Sequence, residues 1–70
     1  MKYLIVIEQT ATGYYAYSPD LQGCIATSST RDDVEREMKD AIAFHLEGLK
    51  AEGMAIPRPS TSSSYVEIPA

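Results

Sequence analysis

The chain has 70 residues, 44% of them hydrophobic and 23% charged, with a net charge of −4, which suits one small globular domain spanning 1–70 and excludes a disordered or multidomain reading. The longest apolar run, Tyr3 to Ile7, is too short to cross a bilayer, and Lys2 leads into strand-like residues and not into an apolar leader segment, so a cytoplasmic protein with no membrane contact is expected. One cysteine and one histidine exclude an internal disulfide and a closed zinc site within one chain, while the acidic balance argues against direct nucleic-acid binding and suits a basic protein partner.

Taken in order, Tyr3 to Glu8 is β-branched, aromatic and apolar at both parities, the pattern of a central strand covered on both faces. Thr10 to Gly13 reads as a turn in which Gly13 is free to take positive φ. Tyr14 to Ser18 then resumes strand character, completing a hairpin. Pro19-Asp20 and Gln22-Gly23 punctuate the next connection, and Cys24 to Ser28 is a short third strand.

Thr30 to Gly53 carries the strongest local signal. Thr30 is placed as an N-cap, Asp33 can reach back toward it as in a capping box, and Asp32 and Asp33 suit the positive end of the helix dipole. Val34, Met38, Ala41, Ile42, His45, Leu46 and Leu49 share one face at helical spacing. Gly53 supplies a left-handed C′ residue and Pro57 prevents resumption. Beyond it, Pro57-Arg58-Pro59 is expected to be extended, Ser60 to Ser64 to be a loop, and Tyr65 to Ile68 to form a fourth strand stopped by Pro69.

Short turns make the first three strands an antiparallel meander, and the helix carries the chain back, so a fourth strand beside the first gives the order 3-2-1-4 with Tyr3–Glu8 in the middle. The expected class is α+β, β-β-β-α-β, with one long helix on one face. A helix of about 22 residues is roughly 33 Å long and a strand of six roughly 20 Å, so the helix overhangs the sheet and its C-terminal half needs other cover.

The string Tyr14-Tyr15-Ala16-Tyr17-Ser18-Pro19-Asp20-Leu21-Gln22-Gly23-Cys24, followed by the Thr30-capped helix and then Gly53, Pro57 and Pro59, resembles the HicB-like antitoxins over nearly all 70 residues. The resemblance implies a partial ribonuclease-H-like fold that binds and neutralises a small, basic, mRNA-cleaving toxin of the HicA type. Many relatives carry a further DNA-binding segment; with the sequence ending at Ala70, operator binding is not carried over. A solitary oligomeric module with no toxin is the alternative reading.

Most of the motif residues have structural roles. Pro19 presets φ and ends a strand, Gly23 permits a tight backbone, Cys24 is a small apolar strand residue, and His45 is expected to pack within the apolar stripe. A ribonuclease-H-like fold invites a two-metal nuclease built from Glu8, Glu35 or Glu37, and Glu67, yet Glu8 and Glu67 sit near strand ends where solvated acids are ordinary, and no catalytic residue, metal or cofactor is assigned. Of the five tyrosines, Tyr14 and Tyr15 must point to opposite faces, and one helix covers only one of them. Aromatic surface including Tyr14, Tyr15 or Tyr17 is therefore left for a partner or a second subunit.

A chain this small buries about 60% of its unfolded surface, so a homo-oligomer, a dimer or tetramer, is expected. A flanking helix stripe, Ala41, Phe44, Gly48 and Ala51, is one candidate interface; the competing reading has Phe44 covered by the Pro57–Pro59 segment.

Overall fold

A computed structural model describes residues 1–70. Three strands, β1 (Val6–Gln9), β2 (Tyr14–Tyr17) and β3 (Ile25–Ser28), precede one helix, α1 (Arg31–Ala51). The strands form an antiparallel meander in the order β1-β2-β3. Ile7, Ala16 and Ala26 stand opposite one another in register, as do Val6, Tyr17 and Ile25. Alternation therefore puts the first set on one face and the second on the other.

The helix packs mainly on β3 and β2, over the face that carries Ala16. Ala16, Leu21, Cys24, Val34 and Met38 form the buried core, with Tyr3, Ile5, Ile7, Tyr14, Ala26, Ile42 and Leu46 packed around it. Alanine at both 16 and 26 keeps side-chain bulk off the sheet, so Val34 and Met38 seat directly on it. Only these two of the helix's residues are fully buried; from Ala41 onward the apolar stripe is at best half-buried. The overhang expected from the two lengths is thus present.

Both helix ends are built by local chemistry. Thr30 has an extended backbone (φ −126°, ψ 156°) and its Oγ1 accepts the Asp33 N–H at 3.1 Å. The Asp33 carboxylate does not return to the cap; it pairs with Arg36 one turn on, so only half of the expected capping box forms. At the other end Gly53 takes φ 70°. The N–H of Gly53 bonds the Lys50 carbonyl at 3.1 Å and that of Met54 the Leu49 carbonyl at 2.9 Å, the paired bonds of a Schellman ending.

Three expectations about the sheet are corrected. The first strand begins at Val6 and not at Tyr3, because β2 ends before Pro19, and the Ser18 hydroxyl donates to the Leu4 carbonyl at 3.0 Å in place of a ladder. β1 is an edge strand and not a central one, since Tyr65–Ile68 pairs with no strand of the chain. Gly13 does not have positive φ; its need for glycine is space, because a Cβ there would lie 2.3 Å from the Ser28 carbonyl oxygen.

The radius of gyration is 14.0 Å and the extents are 50 × 26 × 16 Å, whereas a compact chain of this length has a radius near 11 Å. The difference comes from the two overhanging pieces, the C-terminal half of α1 and the exposed segment 62–70.

Candidate interaction site

The connection between β2 and β3 is closed by three backbone hydrogen bonds. Leu21 N–H bonds the Ser18 carbonyl and Cys24 N–H the Leu21 carbonyl, each at 3.2 Å, while Ser18 N–H returns to the Cys24 carbonyl at 3.3 Å. These turns drive the Leu21 side chain into the core, where it is 1% exposed. Gly23 makes the return possible with φ 88°, a region open to glycine and costly for other residues. Cys24 is buried beside it, and burial pushes its thiol pKa up, the opposite of what a nucleophile requires.

Asp20 has a role that no local pattern announces. One carboxylate oxygen, Oδ2, accepts the Ser60 N–H at 3.0 Å and the Thr61 N–H at 3.1 Å. The other, Oδ1, accepts the Ser60 hydroxyl at 3.0 Å and the Thr61 hydroxyl at 2.6 Å. The Thr61 hydroxyl, then the two N–H groups, hold the Asp20 carboxyl at a pKa of about 2, below the ordinary carboxylate range. Together with the Tyr3 hydroxyl, which donates to the Pro57 carbonyl, this clamp fixes the path of the chain after the helix. The Ser/Thr stretch read as a plain loop is, at its first two residues, a ligand for the motif's aspartate.

Two apolar surfaces remain open. On the sheet face away from the helix, Tyr15 and Tyr17 lie with ring centroids 5.8 Å apart at 36°, in register with Thr27 and Ile25. Ile25 is 56% exposed. Tyr14 faces the helix side and packs against the core, so of the tyrosines on β2 it is not part of this surface. On the helix, Ala41, Phe44 and Gly48 line a groove of about 400 Å³ with Gly23, Ile25, His45 and Leu49. Phe44 is 79% exposed and is not covered by Pro57–Pro59. Gly48 has no atom near its missing Cβ, and Ala51 is exposed one turn beyond. His45 is half-buried at the groove wall. Gly23 and Ile25 line both this groove and a depression of about 470 Å³ beside Tyr15 and Tyr17. The two surfaces therefore join around the start of β3.

The carboxylates considered for metal chemistry are not brought together. Glu8 lies in register with Tyr15 on the open face, Glu37 accepts the Ser28 hydroxyl on the helix side, Glu35 is exposed on the helix and Glu67 is exposed on the extended segment. No group of three histidine, cysteine, aspartate or glutamate side chains has metal-binding geometry. No helix is long and apolar enough to cross a membrane.

What results is a small α+β domain whose uncommitted surface is apolar and whose acids are dispersed. The chain belongs to the HicB-like antitoxin family of bacterial toxin–antitoxin systems, whose family model matches residues 3–70. It is 36% identical over 67 residues to a UPF0150 protein of Thermoplasma acidophilum, covering 94% of this chain and 97% of that one. It is 32% identical over 69 residues to an uncharacterized 14.9 kDa protein of Haemophilus phage HP1, of which it spans about half, 52%. Among solved structures it is similar to a chain of the HicA3 and HicB3 toxin–antitoxin complex, with TM-score 0.71 and 35% identity over 86% of this chain and 70% of that one. The same score and identity relate it to the crystal structure of antitoxin HicB3, of which it covers 44%.

Proposed function

We propose that this chain is the toxin-binding domain of a cytoplasmic antitoxin that neutralises a small basic HicA-type ribonuclease by covering its active surface, and that it does no chemistry of its own. The observation that supports this most is its likeness, at 35% identity, to a chain of a complex between HicA3 and HicB3. The physical features agree with a binding role. The net charge is −4, which steers a basic partner toward the domain and makes association salt-dependent. The joined surface of Tyr15, Tyr17, Ile25 and Phe44 supplies aromatic anchors of the kind that dominate binding energy once desolvated. In this reading the meander and helix are the frame of a partial ribonuclease-H-like fold, with Tyr65–Ile68 as its fourth strand.

Co-expression with a small basic protein encoded beside this one tests the reading. The pair is expected to co-purify and to relieve growth arrest caused by the basic protein alone. Tyr15→Ala with Tyr17→Ala is expected to weaken the complex by about 10-fold or more, the loss of roughly 1.4 kcal/mol or more that truncating a binding anchor entails. Persisting arrest together with absence of a complex would remove the antitoxin reading and leave a solitary oligomeric module.

A further inference from the structure

The start of β1 and the two residues that lead into it have a composition at odds with their place. Leu4, Ile5, Val6 and Ile7 are apolar at both parities, as in a strand with neighbours on both sides, yet β1 is the sheet's edge and all four residues are only half-buried. An edge of this kind presents unpaired N–H and C=O groups to any strand that can use them.

The chain's own later residues reach this edge and do not pair with it. Ser63, Ser64 and Tyr65 share a cleft of about 270 Å³ with Leu4 to Ile7 and Arg31. Consecutive residues of both parities line it, so the cleft is the strand's edge and not one of its faces. The reason for the missing ladder is register. Asp20 fixes Ser60 and Thr61, so the serines arrive beside β1 and the strand-forming residues arrive after it. Tyr65 is fully exposed, Val66 77% and Ile68 74%. Sliding the apolar residues back along their own β1 would break the four hydrogen bonds of the clamp.

We infer that Tyr65–Ile68 is a donated strand: it pairs with the β1 edge of a second copy of this chain, which returns its own segment in the same way. Each copy holds one edge without a backbone ladder and one unpaired strand-forming segment, so a single two-fold contact satisfies all four. The lengths agree, with four edge residues, Leu4 to Ile7, along the cleft and four in the segment. Pro69 follows directly and has no N–H to extend the ladder, which favours a closed pair over a growing fibre. The exchange covers on the order of 400 Å² on each segment and a similar area on each receiving edge, within the roughly 1,200–2,000 Å² of a stable interface. Because the clamp has already ordered the base of the segment, less entropy is lost on docking. The inference does not depend on any toxin.

Mixing ¹³C-labelled and unlabelled full-length chain and recording isotope-filtered NOEs tests it in the absence of other proteins. Contacts between Val66 or Ile68 of one copy and Leu4 to Ile7 of the other are expected, in a species of at least twice 7.7 kDa. Val66→Pro with Glu67→Pro removes a ladder donor whichever parity faces β1, and is expected to halve the mass while the helix signal persists. Contacts confined to one chain, contacts between the two segments alone, a wild-type mass of 7.7 kDa, or an unchanged mass in the double variant would each overturn the exchange.

Discussion

The two halves of α1 have similar sequence character and opposite surroundings. In the first half, Val34 and Met38 are completely buried over Ala16. In the second, Ile42, His45, Leu46 and Leu49 are half-buried and Phe44 is 79% exposed. The cause is length, because a 21-residue helix outruns strands of four residues. The loop Ser18–Cys24 closes the sheet's lower end by inserting Leu21, but it cannot also cover the overhanging turns. One half of the molecule is finished by its own chain and the other presents apolar surface to something else.

The largest expected contrast is between core and overhang. Leu21→Ala or Met38→Ala should cost about 2–5 kcal/mol, comparable with the whole stability of a 70-residue domain at roughly 0.05–0.15 kcal/mol per residue, so urea denaturation should find little folded protein. Phe44→Asp should leave a monomer's stability within about 0.5 kcal/mol and act on assembly instead. If light scattering shows an unchanged oligomer, the helix flank is not a subunit contact and stays with the sheet tyrosines as partner-binding surface.

A pair of glycines sharpens the same comparison. Gly13→Ala places a methyl 2.3 Å from the Ser28 carbonyl oxygen and should cost about 1–3 kcal/mol through overpacking at the hairpin. Gly48→Ala meets nothing within the chain and should stabilise the isolated helix by about 1 kcal/mol. Thermal unfolding separates the two signs. A fall in assembly for Gly48→Ala, with the helix stabilised, would show that a second chain approaches there.

The smallest effect concerns the Asp20 clamp. Its folded pKa of about 2 lies below the unfolded value of about 3.9. Its contribution is therefore complete above about pH 4 and is lost as pH falls through about 2. The protection of the Ser60 and Thr61 amides, measured against their intrinsic exchange rates, should fall across that window, and Asp20→Ala should remove that protection at neutral pH with the helix and meander intact.

What was legible in the sequence was the chemistry that acts within a few residues. Thr30, Gly53 and the spacing of Val34 and Met38 announce the helix, its caps and its buried face, because all of these interactions span one or two turns. The meander follows equally from its short connections. Two things were not legible. Asp20 and its ligands Ser60 and Thr61 are 40 and 41 residues apart, and nothing local in either segment names the other. The strand composition of Tyr65–Ile68 points to a neighbour for β1 within the chain, whereas the clamp sets a register that composition cannot show. Among the interface candidates, alternation alone separated Tyr14 from Tyr15, but which of the two faced outward depended on where the helix lay.

The inference that matters most for assembly is that the β1 edge is completed by the Tyr65–Ile68 segment of a second copy. Sedimentation equilibrium of the full-length protein across a micromolar concentration series tests it most directly. The account predicts a mass that is an even multiple of 7.7 kDa and that dissociates only on dilution. A single species of 7.7 kDa at every concentration would contradict it.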